Sequence, residues 1–321
     1  MSSHGGIARG GALALMLAGL AACDIAAPVA VPSGIAAPPR PAPPASDPSA
    51  ASRAVADHFA AQERGLRARG LMRTDGGGAD TPFSAATLAA NFTRIALFNE
   101  YSEIAGRLVQ RSSPAALRRW EGPVRLRLEF GEAVAPGVQR KDGADVAAYA
   151  SRLARATRHP VSFIGAGSPP TAANFHILVL TDDERRVAGP RLRALVPGID
   201  SQSIALIEAL PLSVSCVVLA FSRSGTNVYS EAVALIRAEL PDLTRLSCYH
   251  EEIGQGLGLP NDSPQARPSI FNDNEEFALL TRHDEALLRI LYDPRLRPGM
   301  REPEARDIIQ TIATELTSGE S

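Results

Sequence analysis

The side chains best able to do chemistry gather in one passage, Ser247-Cys248-Tyr249-His250-Glu251-Glu252-Ile253-Gly254-Gln255-Gly256-Leu257-Gly258-Leu259-Pro260-Asn261-Asp262. Glu251 and Gln255 stand one helical turn apart, with Glu252 between them and Asn261-Asp262 just beyond. Such a set offers oxygen donors, which suit calcium, magnesium or manganese better than zinc. A simpler reading pairs Glu251 with Gln255 by an i,i+4 hydrogen bond and ties Glu252 to one of many arginines. Other signals are weaker. Asn272-Asp273-Asn274-Glu275-Glu276 is acidic but lacks the glycine and spacing of an EF-hand loop, and reads as a solvated loop. Ser222-Arg223-Ser224-Gly225 lacks the G-x-S-x-G of a hydrolase nucleophile. Gly165-Ala166-Gly167 runs into Pro169-Pro170, so no helix starts there to receive a phosphate. His176 falls in a strand, and His283 in a helix start where Thr281 and Asp284 have the look of capping residues.

The passage resembles the active-site helix of metzincin-type zinc metallopeptidases, H-E-x-x-H-x-x-G-x-x-H. In that pattern two imidazoles one turn apart bind zinc and the intervening Glu polarises its water. Registered on Gly258, the resemblance puts Glu251 at the first ligand, Glu252 at the general base, Gln255 at the second ligand and Asn261 at the third. The literal His250-Glu251 register fails, because it sets Gly254, which has no side chain, at the second ligand. Ser269-Ile270-Phe271 is similar to the S-I-M of the metzincin methionine turn, with Phe271 at the methionine. The strand, helix, strand, strand order ahead of the motif is also shared.

A closer resemblance is to a bacterial lipoprotein family, the domain of unknown function 2927 group. It is carried by Glu251-Glu252, Gln255, Leu257-Gly258-Leu259, Asn261-Asp262 and Ser269-Ile270-Phe271-Asn272. Arg119-Trp120, Leu291-Tyr292-Asp293-Pro294 and Pro298-Gly299-Met300 add to it. This resemblance implies a name and a compartment, and no activity.

The elements that must position these residues follow from periodicity. Ser52 to Arg69 reads as a helix through Val55, Phe59, Ala60 and Leu66, and Gly-rich Thr74 to Gly78 ends it. Ser84 reads as the N-cap of a second helix with Leu88, Phe92, Ile95, Phe98 and Leu108 on one face. Val124 to Phe130 alternates as a strand with one wet face, and Asp142 to Arg158 is helical. Val161 to Ile164 and Asn174 to Leu180 are strands, and Ser215 to Phe221 is apolar enough to be a central one. Helices are predicted over Tyr229 to Leu240, Cys248 to Leu257 and Phe277 to Leu291. A last one starts at Pro303 and runs through Ile308, Ile309, Ile312 and Leu316. The expected fold is α+β, zincin-like, over residues 81–316, with a helix and Gly-rich loop over 51–80.

The N-terminus carries an address. Arg9, the apolar Gly11 to Leu20 and then Leu20-Ala21-Ala22-Cys23 resemble the signal peptide (residues 1–22) and lipobox of a bacterial lipoprotein. Cys23 would then be acylated, anchoring the protein in the membrane. Asp24 leaves the choice of leaflet open. The Pro/Ala-rich residues 23–50 are expected to form no helix or sheet, and as a tether would reach at most roughly 80 Å. With Cys23 acylated, Cys216 and Cys248 remain, as one disulfide or as two buried thiols.

The chain of 321 residues has 33 basic and 35 acidic side chains, and Lys141 is its only lysine. That balance gives no broad grip on nucleic acid. No apolar run reaches the roughly 20 residues of a membrane span, and three cysteines exclude a disulfide-dense scaffold. Together these readings predict a lipid-anchored, periplasm-facing envelope protein. Its degenerate peptidase-like domain would serve in binding an envelope protein or peptide, or in scaffolding, with no resident cofactor. The alternative is a metal-dependent hydrolase in which Glu251, Gln255 and Asn261 hold a divalent ion and Glu252 is the base.

Overall fold

The computed structural model describes residues 48–104, 107–165 and 167–318, with the side chains of 100–111 left aside. The expected signal segment, Cys23 and nearly all of the expected tether lie outside the described residues. In chain order come helix α1 (Ala50–Ala68), α2 (Ala85–Ala96), the hairpin β1 (Phe98–Ile104) and β2 (Arg107–Pro114), β3 (Val124–Phe130), α3 (Pro136–Thr157) and β4 (Val161–Phe163). Then follow β5 (Phe175–Leu180), three short helices α4 (Asp182–Arg185), α5 (Gly189–Leu195) and α6 (Ser201–Glu208), β6 (Cys216–Ser222) and β7 (Tyr229–Arg237). The chain continues with α7 (Asp242–Gly258), α8 (Arg282–Leu291) and α9 (Glu302–Ser318).

The main sheet has the order β4-β3-β5-β7-β6. Its first four strands are parallel, and β6 runs antiparallel to β7 at the edge. The two-residue period of a strand divides the faces. Val124, Leu126, Phe175, Ile177, Ala232, Ala234 and Ile236 point into the large core beneath α3, α7 and α8. Leu178, Val233 and Leu235 point the other way, where Leu192, Ile204 and Ile207 of α5 and α6 cover them. The β3 alternation is as expected, with Val124, Leu126 and Leu128 buried between half-exposed arginines.

Several elements differ from the sequence expectation. Tyr229 to Leu240 is not a helix but largely strand β7, buried on both faces between β5 and β6. In a continuous apolar run such as Ala232 to Ile236, spacing alone cannot separate a buried strand from a helix. Ser215 to Phe221 is a strand, but it lies at the sheet edge, because β7 takes the interior place. α2 ends at Ala96, and Phe98 opens β1. α7 begins six residues before Cys248, and α8 begins only at Arg282. The α4–α6 insertion has a local signature, the Thr181–Glu184 capping box and the Asp200 N-cap. Thr281 and Asp284 do form a capping box at the start of α8.

Candidate functional site

Helix α7 carries the acidic passage, and its start is capped from another element. The Glu63 carboxylate of α1 accepts from the Thr244 backbone N (3.1 Å) and Oγ1 (2.7 Å), satisfying an otherwise orphaned first-turn donor. One side of the helix is tied to α3. Arg245 Nε donates to Asp142 (2.7 Å), Tyr249 donates its hydroxyl to the same carboxylate (2.8 Å), and Arg245 also reaches the Leu240 carbonyl (2.7 Å). Burial works against the Arg245 charge, but Asp142 and Asp242 more than offset it and raise its pKa. The far end is fastened by Trp120, whose indole donates to the Gly256 carbonyl (2.9 Å), and by Tyr292, which donates to that of Leu257 (3.0 Å).

Two glycines allow this fit. A Cβ on Gly256 would lie 2.5 Å from the Phe175 ring, so the helix can approach the sheet this closely only with glycine there. Gly258 ends the helix at φ +129°, where a Cβ would meet the Arg118 carbonyl oxygen at 2.3 Å.

His250 turns away from the acidic face. It stacks on Tyr149 at 3.9 Å between ring centroids, and its Nδ1 accepts from the Leu280 backbone N (3.0 Å). Burial lowers its pKa to about 3, helped by Arg152, so the ring is neutral at physiological pH. His283 is fully buried, with Nε2 3.1 Å from the Asn91 amide. His176 is buried on the opposite face of the sheet, in β5.

The other side of α7 presents Cys248, Glu251, Glu252 and Gln255, which share a helix face at i, i+3, i+4 and i+7. Cys248 is bonded to Cys216 at the head of β6, with Cα atoms 6.0 Å apart. Of the two options left by the sequence, the structure has the disulfide. The Ser215 hydroxyl lies 3.6 Å from each sulfur. Glu252 is buried and Glu251 half-buried. Gln255 donates to Asp262 (3.4 Å), whereas Asn261 is buried with its amide donating to the Arg94 carbonyl at the end of α2 (2.9 Å). The structure thus brings Glu251, Glu252, Gln255 and Asp262 to one region and commits the Asn261 amide elsewhere.

Phe271 packs under the helix against Gly254, at the end of a turn organised by buried Asp284. The Asp284 carboxylate accepts from Ser269 Oγ (2.5 Å), Ile270 N (3.1 Å) and Thr281 N (2.8 Å). In the loop at 272–276, Asn272 and Asn274 fold back onto backbone groups. Glu275 there has its pKa raised by burial and by Asp273. It joins Glu251, Ser215, Ser247 and Cys248 around a cavity of about 30 Å3 beside α1.

Among the described residues, one group of His, Cys, Asp and Glu side chains converges closely enough to share an ion: Cys216, Glu251 and Glu252, with ligand atoms within 4.8 Å of one another. Zinc prefers imidazole and thiolate. With the Cys216 sulfur bonded to Cys248, this set reduces to two carboxylates, and it does not fit a catalytic zinc. The participation of Ser215 and Cys216 was not legible as part of a site, because only the strand order brings β6 against α7.

Comparison with curated proteins and with solved structures gives no match. A family model described as "Protein of unknown function (DUF2927)" matches residues 85–311, which include the sheet, α7, α8 and most of α9. That match spans more than two thirds of the chain, and the protein belongs to this family.

Proposed function

We propose that the protein is a lipid-anchored, periplasm-facing envelope protein whose zincin-like body binds a peptide or protein partner without catalysis. The observation that carries this reading is the face of α7. Where a metallopeptidase helix would present imidazoles, this one presents Glu251 and Gln255, with the disulfide-bonded Cys248 on the same face. The zincin-like likeness is supported by the strand–helix–strand–strand order before α7, by Gly258 closing that helix, and by the Phe271 turn beneath it. Edge strand β6 runs beside the acidic face, and its open side can pair with an extended peptide through main-chain hydrogen bonds. The competing reading, a hydrolase using oxygen ligands, draws on the buried Glu252 beside Glu251.

Two experiments test the proposal. Membrane fractionation of wild type and Cys23→Ser should find the first in the membrane and the second released; membrane retention of Cys23→Ser refutes the anchor. Hydrolysis of a general peptide substrate should stay at background for wild type and for Glu252→Ala alike. A wild-type activity that Glu252→Ala abolishes refutes the non-catalytic reading.

A further inference from the structure

The disulfide sits where it controls a donor set. Cys248, Glu251 and Glu252 share one face of α7, and Cys216 meets them from β6. While the sulfurs are bonded to each other, neither is a thiolate, and the thiolate is the form that binds metal. Opening the bond leaves the Cys216 thiol among the two carboxylates, with ligand atoms of these three residues within 4.8 Å of one another, and the Cys248 thiol adjoining it: two thiols and two carboxylates from two rigid elements. Tetrahedral zinc at about 2.3 Å from each sulfur holds two thiolates about 3.8 Å apart. The site requires side-chain rotation to give that spread across a Cα separation of 6.0 Å. The adjoining cavity, about 30 Å3 and lined by Ser247, Cys248 and Glu251, is of a size for water or an ion rather than an organic ligand.

We propose that Cys216, Cys248, Glu251 and Glu252 form a redox-gated zinc site, closed in the disulfide form and binding the metal in the dithiol form. The reductant is a dithiol acting by thiol–disulfide exchange. Its two thiols become a disulfide, and their two electrons and two protons convert Cys216–Cys248 to two thiols. Zinc then displaces both thiol protons to solvent and binds the thiolates. Four protein ligands leave no open position for water, so the site is structural and offers no peptidase chemistry. The proposal does not rest on the peptide-groove reading, since it concerns the reduced protein alone.

The test is a cobalt(II) titration of the full chain, reduced anaerobically and freed of reductant. Thiolate-to-cobalt charge-transfer absorption should appear in the reduced protein, be absent from the oxidised protein, and be lost in Cys216→Ser. Zinc should bleach it. Glu252→Gln should still form the disulfide when oxidised. Once reduced, it should bind cobalt at least roughly tenfold more weakly, the least that even outer-sphere changes around a metal usually cost. A folded reduced protein without that absorption overturns the proposal, as does absorption indifferent to both Glu251→Gln and Glu252→Gln. So does a reduced chain whose far-ultraviolet dichroism shows the fold, and with it the site, to be lost.

Discussion

The position of β6, and with it the wall of the candidate site, depends on one buried carboxylate. Asp182 accepts from Arg185 (2.6 Å), Arg186 (2.8 Å) and Arg237 (3.0 Å), and the Arg185 and Arg237 side chains are almost wholly buried. Arg237 in turn holds the carbonyls of Leu210, Pro211 and Val214 at 2.9–3.0 Å, fixing the chain as it enters Ser215 and Cys216. Burial alone would raise the Asp182 pKa; the arginine hydrogen bonds outweigh it and bring it from 3.8 down to about 2. That difference corresponds to about 2 kcal/mol of stability. Because the folded pKa is depressed, this contribution is complete above about pH 4 and is lost as the pH falls toward 2. Asp182→Asn removes the charge at every pH and leaves two buried guanidinium groups short of a counter-charge, so it should cost about 3 kcal/mol at neutral pH. Urea unfolding of both proteins from pH 7 to pH 2 checks this. The gap between them should shrink by about 2 kcal/mol below pH 4. A neutral-pH difference under about 0.5 kcal/mol, the size of an ordinary surface change, would refute the reasoning. So would two parallel pH profiles.

Further outcomes follow from the same structure. Breaking Cys216–Cys248, which closes a span of 32 positions, should cost about 3–4 kcal/mol in urea unfolding, the value that loop-closure entropy gives for that span. Gly256→Ala should destabilise: overpacking against Phe175 costs about 1–3 kcal/mol, more than the up to about 1 kcal/mol that alanine adds in helix propensity. Gly65→Ala in α1, where an added Cβ meets nothing within 4 Å, should instead stabilise by about 0.5–1 kcal/mol, and thermal unfolding separates the two. His250, held near a pKa of about 3, should show no imidazole titration by NMR between pH 5 and 8. Its lowered pKa makes stability fall as the pH drops below 6.5, by up to about 1.4 kcal/mol per pH unit, and His250→Gln should remove that slope.

What the sequence made legible, and what it hid, divides along physical lines. The alternation of Val124 to Phe130, the apolar spacing of the last helix and the Thr281–Asp284 cap are local signals, and each is present in the structure. The β7 run Ala232 to Ile236 misled because a strand buried on both faces has no polar side to mark its period. β6 looked central by composition, yet its edge place is set by which strand β5 pairs with, and the residues of β6 themselves do not encode that. In the site, Glu251, Glu252 and Gln255 share a face because helical spacing dictates it. Asn261 lies beyond the helix end, where the chain path decides its partner, and its amide goes to Arg94. Cys216, at the head of β6, and Ser215 just before it lie more than thirty positions before Cys248, so only the tertiary fold brings them beside the carboxylates.

The claim at the centre of this account is that the acidic face of α7, with its disulfide intact, does not hold zinc. Elemental analysis of the oxidised protein, incubated with zinc and then dialysed, tests it most directly. The expected result is zinc far below stoichiometric; an ion retained in stoichiometric amount and released by Glu251→Ala or Gln255→Ala would contradict it.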